Sequence, residues 1–289
     1  MSFSATEAAF EGFRVVRRHP KVALFWGLTY LVMFLAMFAL GADRWASLMA
    51  ALSALEGSSN PGSEQMAELG RIYAESAIWL VPFFLIVGAV ISAAVARSVL
   101  RPEQSAWGYL RLGMDEVRVL AVTLLVAVIV GLASGIGFAI ATALAASGQA
   151  VMILVGLLVG LAAIALTIWL SVRLSLAVPI TIDRQRIGLV ESFNATKGVF
   201  WPLLGMAVIA VVMSFIVSIL GGIIGAAGDL ATGGLAQIAR FEGAGVQQIL
   251  TQLWPAILVW SVINALLSAL QVAVMYAPFA AAWQDLRGR

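Results

Sequence analysis

Arg173 is the charged residue with the clearest chemical meaning in this sequence. It lies in residues 169–179, close to the end of a long hydrophobic run. A guanidinium group at membrane depth is costly and often marks a functional site, where it binds a lipid phosphate or a buried carboxylate. Asp183 and Glu191 are the nearest acidic candidates in sequence. A long side chain near the end of a span can also extend to the headgroup region without a specific role, so both interpretations stay open.

Asn264 and Gln271 form a second polar feature inside a hydrophobic run. They are seven residues apart, so they share one face of a helix and should point inward. Two amides on one face would either line a polar path for a solute or hydrogen-bond to neighbouring helices. We favour the hydrogen bonds, because two amides are a thin lining for a path.

Enzymatic chemistry has little support in the sequence. The 289 residues include no cysteine and a single histidine, His19. Disulfides, thiol catalysis and metal sites built on thiolates or several imidazoles are therefore not expected. The chain also lacks a phosphate-binding glycine loop, a His-Glu-x-x-His motif and a Gly-x-Ser-x-Gly motif. We expect no catalytic residues, no metal and no cofactor.

The composition defines the class of protein. Hydrophobic residues make up 62% of the chain and charged residues only 11%, against roughly 25% charged in a typical soluble domain. This excludes a soluble enzyme, a disordered chain and a nucleic-acid-binding protein. Six apolar runs reach the length of about 20 residues that a bilayer crossing needs. The sequence therefore predicts an all-α polytopic membrane protein, with one transmembrane domain over residues 1–289. The predicted spans are residues 22–41, 76–96, 119–146, 150–178, 200–225 and 254–282.

The distribution of basic residues predicts the orientation. Fourteen of the 17 Lys and Arg residues fall on the side of the predicted spans that carries both termini, and only Arg44, Arg71 and Arg240 fall on the other. Cytoplasmic loops carry the excess of Lys and Arg, so both termini should be cytoplasmic. No organelle-targeting signal is visible, which favours a bacterial inner membrane. The first run is longer than the core of a cleaved signal peptide, so we expect it to be retained.

Three segments before the odd-numbered spans combine apolar residues at helical spacing with arginines. They are residues 4–19, 103–117 and 187–199, and Pro20 ends the first. Their apolar positions are Phe3, Phe10, Phe13 and Val16, then Trp107, Leu110 and Met114, then Leu189, Val190, Phe193 and Thr196. The pattern predicts three hairpins, each made of a cytoplasmic amphipathic helix and two spans. We favour helices lying at the headgroup level over plain linkers that pack on the helix ends.

Glycine motifs and two long loops are the remaining features of the sequence. Gly-x-x-x-Gly motifs at 131–135, 156–160 and 221–225 allow close helix packing, within one chain by default or between subunits. Two longer connections lie on the outer side: residues 43–75, with a turn at 57–62, and residues 227–252. We interpret them as ordinary connections between spans, and the alternative is a periplasmic lid.

Three stretches in the second half carry a family resemblance. They are Arg173-Leu-Ser-Leu-Ala-Val-Pro179, residues 191–201, and the ending from Ala277-Pro278 to Trp283-Gln-Asp-Leu-Arg287. Together they resemble the glycerophosphoryl diester phosphodiesterase membrane-domain family and the related YciC-like bacterial inner-membrane proteins. The resemblance implies a multi-helix membrane module, sometimes joined to a soluble phosphodiesterase. It implies no activity here, since the acids and histidines of that catalytic domain are absent.

The leading functional expectation is a non-enzymatic membrane protein that engages anionic lipid and organises membrane or a protein partner, either alone or as a homo-oligomer. The residues expected to bind lipid are Arg14, Arg17, Arg18, Arg173, Arg184, Arg186 and Lys197. The alternative is a transporter or channel for a small or lipidic solute that uses Asn264, Gln271 and Arg173. A membrane enzyme acting on a lipid phosphodiester is the third candidate.

Overall fold

The chain folds into helices joined by short turns. The computed structural model describes residues 4–56 and 62–287, and this part of the chain contains no strand. The α-helices are α1 (Ala5–Ala9), α2 (Glu11–Arg18), α3 (Pro20–Glu56), α4 (Ser63–Leu100), α5 (Met114–Ala145), α6 (Ala150–Leu174), α7 (Ala177–Arg184), α8 (Leu189–Ala195), α9 (Phe200–Thr232) and α10 (Val246–Leu286). Short 3-10 helices cover Pro102–Gln104, Ala106–Tyr109 and Leu235–Phe241.

Six of these helices, α3, α4, α5, α6, α9 and α10, are long and apolar enough to cross a membrane. They have 25 to 41 residues, where a crossing needs about 20. A bilayer offers no hydrogen-bond partners to the backbone, and helices satisfy their own. The predicted class, an all-α multi-pass membrane protein, is confirmed. Consecutive spans also pack in pairs, α3 with α4, α5 with α6 and α9 with α10, as the hairpin prediction requires.

The fourth predicted span ends earlier than expected. Helix α6 stops at Leu174 rather than at residue 178, and α7 begins at Ala177. Pro179 lies in the first turn of α7, where its missing N–H and its fixed φ are tolerated. The proline therefore fits the start of a new helix and does not lie in the old one.

The first amphipathic segment is helical but divided. Helix α1 is capped by Ser4, whose hydroxyl accepts a hydrogen bond from the Glu7 backbone N–H at 3.4 Å. Helix α2 packs along α10, and the contact is so close that a Cβ on Gly12 would lie 2.4 Å from the Ala273 carbonyl oxygen. Pro20 begins α3, so the predicted break is confirmed. Of the predicted apolar face, Phe3 lies outside the described residues.

The prediction for the second segment is wrong, because residues 103–117 do not form one amphipathic helix. Trp107, Gly108 and Tyr109 have positive φ angles, so the chain makes a tight turn within the short 3-10 segment Ala106–Tyr109. Long-range contacts hold this turn in place. The indole N–H of Trp26 donates to the Gly108 carbonyl at 2.8 Å, and Arg97 donates to the Tyr109 carbonyl at 2.9 Å.

The third segment contains the helix α8, and the side that packs on the protein is not the predicted apolar side. Ser192 and Thr196 are buried, whereas Val190 is 74% exposed. The buried face is polar because both hydroxyls bond to groups of α6 and α8 described below. Val190 is therefore available to a surrounding apolar phase.

The core is organised around α10. Its residues Ala265, Ala269, Ala273 and Ala277 recur every four positions and are all buried. Helix α10 packs against α2, α3, α4 and α9. Such small side chains allow close approach between helices, which is the main source of packing in a membrane.

The structure describes most of the two outer connections. Of the predicted turn at 57–62, residues 57–61 lie outside the described residues, and Gly62 immediately precedes α4. In the second connection, Leu235 and Ile238 of the 3-10 helix are buried against α3. This packing fits a structural spacer.

The glycine motifs divide into packed and open ones. A Cβ on Gly156 would lie 2.7 Å from the Ala141 carbonyl oxygen, and one on Gly160 would lie 3.7 Å from the Ala141 Cβ, so this motif joins α5 to α6 within the chain. Gly131, Gly135 and Gly225 have nothing within 4 Å of that position. Only the middle motif therefore packs over both of its glycines.

We predict that Gly156→Ala destabilises the protein by about 1–3 kcal/mol, because the added methyl group forces α5 away from α6. Gly135→Ala is the matched control, since it lies in open space and gains helix propensity. Unfolding in mixed detergent micelles, followed by tryptophan fluorescence, measures both. Equal stability of the two variants would show that the α5–α6 contact does not depend on Gly156.

Candidate functional site at the basic end

The candidate site lies where α4, α6 and α10 end and α5 and α9 begin, a region that we call the basic end. The sequence places fourteen Lys and Arg residues on this side against eight Asp and Glu residues. Arg289, one of the fourteen, lies outside the described residues. The excess of positive charge is therefore a property of one end of the bundle.

Arg173 lies in the last turn of α6 and is only 8% exposed. Its guanidinium group stands over the Phe193 ring, 4.2 Å from the centroid, and 5.6 Å from that of Trp169. One guanidinium nitrogen donates to the Thr196 hydroxyl at 3.3 Å. Aromatic faces attract cations, and this attraction grows as water is removed.

The backbone of Arg173 also holds α8 in place. Its carbonyl accepts a hydrogen bond from the Ser192 hydroxyl at 2.9 Å, and the Thr196 hydroxyl donates to the Ser192 carbonyl at 2.9 Å. Arg173 thus fastens the short helix α8 to the end of α6.

Among the described residues, no carboxylate lies within 4 Å of Arg173, and its buried Nε has no hydrogen-bond partner. Pairing with Asp183 or Glu191, the acidic candidates from the sequence, is therefore wrong. Both acids form ion pairs with other arginines, which are closer to them in the folded chain.

Glu191 is shared by two arginines. Arg186 bonds to one of its oxygens, and the Nε of Arg184 lies 3.4 Å from the other. The side chains of Arg184 and Arg186 are 46% and 62% exposed, so two guanidinium groups are balanced by a single carboxylate at the surface. This arrangement leaves a net positive charge accessible from outside.

Asp183 joins α7 to the end of α10. It accepts a hydrogen bond from Arg287 at 2.6 Å and one from the Trp283 indole N–H at 3.0 Å. Arg101, at the end of α4, donates to the Ile182 carbonyl at 2.8 Å. The C-terminal residues that carry the family resemblance therefore have a structural role here.

The remaining predicted lipid contacts fall into two groups. Arg14 pairs with Glu11 at 2.9 Å and donates to the Glu7 carbonyl at 2.6 Å, so it stabilises the α1–α2 junction. Arg17, Arg18 and Lys197 are exposed and form no ion pair within the described part of the chain. The second group adds to the accessible positive charge.

A buried ion pair between Arg97 and Glu116 was not predicted from the sequence. Arg97 is 1% exposed and bonds to Glu116 as well as to the Tyr109 carbonyl. Glu116 also accepts the Gly113 backbone N–H at 2.9 Å, which caps α5. The one signal for this pair in the sequence is the position of Glu116, three residues after Gly113, which is the spacing of a helix N-terminal cap. The pair links α4, the tight turn and α5.

The two intramembrane amides behave differently. Gln271 donates to the Ser218 hydroxyl at 2.7 Å, which confirms the expected bond between helices, in this case α10 and α9. Asn264 donates to the Trp260 carbonyl of its own helix at 2.9 Å, so the expected bond to another helix is wrong there. Gln271 also lines a cleft that Arg173 and Asn264 do not line. The three residues of the transport hypothesis are therefore not gathered in one cavity.

The chain matches no family model, no curated protein and no solved structure. The resemblance to the phosphodiesterase membrane domains consequently stays a prediction from three short stretches. Among the described residues, no three His, Cys, Asp or Glu side chains are grouped closely enough to hold a metal ion.

We predict that Arg97→Met destabilises the protein by about 3–5 kcal/mol, because it leaves the Glu116 carboxylate buried without its partner. The double variant Arg97→Met/Glu116→Leu should regain more than half of this loss, since it removes the orphaned charge. Unfolding in mixed micelles compares the three proteins. A double variant less stable than Arg97→Met would contradict this interpretation of the pair.

Proposed function

We propose that this protein is a non-enzymatic inner-membrane protein whose basic end binds anionic lipid headgroups in the cytoplasmic leaflet. In this way it would organise the surrounding membrane or a protein partner. Both termini would lie in the cytoplasm, as the distribution of Lys and Arg predicts.

The observation that carries the proposal is the surplus of accessible cations at the basic end. Arg184 and Arg186 share Glu191 as their only carboxylate within ion-pair distance among the described residues, and Arg17 and Lys197 are exposed. Arginine binds phosphate through two parallel hydrogen bonds, and each basic residue near an anionic surface contributes about 1 kcal/mol. Several such residues bias the lipid composition around the protein without a deep pocket.

Exposed apolar side chains beside these cations support a location at the headgroup level. Ile187 and Val190 follow the arginine pair and are mostly exposed, and Trp201, four residues after Lys197, is 77% exposed. Apolar and aromatic side chains next to basic ones are typical of segments that lie in the membrane interface. Water would be a poor solvent for this surface.

Arg173 contributes in a different way. Its buried charge has no carboxylate partner among the described residues, and the aromatic rings stabilise this charge less than water would. A phosphate close to α8 would lower the free energy of that charge. We therefore include Arg173 as a residue that strengthens anion binding while it holds α8.

The transport alternative has weaker support, since Gln271 alone of its three residues lines the cleft. Self-association also stays a prediction. The outer faces of α5 and α6 carry many exposed apolar side chains, which lipid covers as well as a second copy would.

We predict that Arg186→Gln and Lys197→Gln each weaken the binding of phosphatidylglycerol by up to about fivefold, the equivalent of 1 kcal/mol per charge. Native mass spectrometry in mild detergent, with phosphatidylglycerol or phosphatidylcholine added at known concentrations, gives the affinities. Phosphatidylcholine binding should not change.

Arg71→Gln is the matched control. It removes an arginine from the opposite end of the bundle, where Arg71 is paired with Glu68 and Glu75 at 2.5 and 2.6 Å. The proposal fails if the wild-type protein binds both lipids equally, or if Arg71→Gln loses as much phosphatidylglycerol as the variants at the basic end.

A further inference from the structure

A cleft of about 740 Å³ lies between the α5–α6 hairpin and helix α10. Its walls come from α4, α5, α6, α7, α9 and α10, and most of the lining is apolar, as at Val126, Leu174 and Phe279. The volume lies within the range of about 300–1,000 Å³ that is typical of ligand sites. The cleft extends from the basic end into the membrane-spanning part of the helices.

A second cavity, of about 640 Å³, continues along α4 towards the opposite end. Trp45, Leu80 and Phe84 are among its apolar walls. Along α4 the two cavities together extend from Tyr73 to Ala96. At 1.5 Å per residue this is about 35 Å, close to the thickness of the hydrocarbon core.

The two cavities meet at Ser92, Thr123 and Tyr276, which line both of them. These residues come from α4, α5 and α10, and each carries a hydroxyl group. The Ser92 hydroxyl donates to the Ala89 carbonyl of its own helix at 3.2 Å. The hydroxyls of Thr123 and Tyr276 take part in no hydrogen bond within the described part of the chain. A hydroxyl in apolar surroundings is stabilised by a partner, so these two are available to a ligand.

The chemistry of the walls restricts the occupant. A space of this size between packed helices does not stay empty, and apolar walls do not favour water. A hydrocarbon chain fits the walls. A charged headgroup does not fit the junction, because a charge at membrane depth is costly without a charged partner, and the residues that line both cavities carry only hydroxyls.

We propose that the two cavities form one site for an uncharged amphipathic lipid. Its chain lies along α4, and a hydroxyl or carbonyl group of the lipid bonds to Thr123 and Tyr276. The site uses none of the charged residues of the basic end, so this inference is independent of the proposed function.

The test uses a long-chain fatty alcohol with a photoreactive diazirine in its chain, added to the purified full-length protein in lipid nanodiscs. The alcohol should label peptides of α4, α5 and α10, and unlabelled oleyl alcohol should compete. An alkyl phosphate with the same chain and diazirine should label these peptides at least tenfold less.

Two near-isosteric variants test the hydroxyls without a change of shape. Thr123→Val and Tyr276→Phe should each weaken the competition by oleyl alcohol about two- to tenfold, as expected for one lost hydrogen bond. Thr167→Val is the matched control, because the Thr167 hydroxyl donates to the Ala163 carbonyl of its own helix at 2.8 Å and lies outside both cavities. It should behave like the wild-type protein.

Three results would overturn the proposal. The first is labelling that does not saturate and spreads evenly over the lipid-facing helices. The second is equal labelling by the alkyl phosphate. The third is efficient reaction of the single thiol in Thr123→Cys with a membrane-impermeant maleimide, which would indicate a water-filled path; the chain has no native cysteine to interfere.

Discussion

The interior of a bilayer offers no partner to a charge or to a free backbone amide, and the whole structure follows this constraint. The backbone is satisfied within long helices, and hydroxyls such as Thr142 and Ser134 bond to carbonyls of their own helix. Charged residues collect at the ends of the spans. Where a charge is nevertheless buried, it is compensated locally, by Glu116 in the case of Arg97 and by aromatic rings in the case of Arg173. The same constraint makes the accessible cations of the basic end stand out as the surface on which anionic headgroups would act.

With no hydrophobic force between helices in lipid, packing depends on close approach, and α10 provides it. Its buried alanine face receives α2 and α3, and Gly12 and Gly27 allow these helices to approach it. The α5–α6 hairpin has no comparable contact with α10. It is tied to the bundle mainly through α4 and α7, which leaves the cleft beside α10. Helix α10 is therefore packed tightly against α2 and α3 on one side and borders an open cleft on the other.

Predictions from the sequence are confirmed where a single physical effect determines the local structure. The six spans follow from hydropathy alone, and Pro20 and Ser4 follow from backbone chemistry. The predictions are wrong where contacts with residues distant in sequence determine the local structure. The turn at Trp107–Tyr109 depends on Trp26 and Arg97, and the buried face of α8 depends on the carbonyl of Arg173. The partners of Arg173 were mispredicted for the same reason: nearness in sequence pointed to acids that other arginines reach first. No pattern in the sequence indicates that Ser92, Thr123 and Tyr276 meet.

The basic end is proposed to lie in the cytoplasmic leaflet, and single-cysteine labelling tests this location most directly in a chain that has no cysteine of its own. Ser147→Cys lies in the exposed turn between α5 and α6, and Asn194→Cys lies on the exposed side of α8 at the basic end. In intact bacterial cells, a membrane-impermeant maleimide should label the cysteine at 147, and it should reach the cysteine at 194 only after lysis. Labelling of position 194 in intact cells, with position 147 protected, would contradict the account.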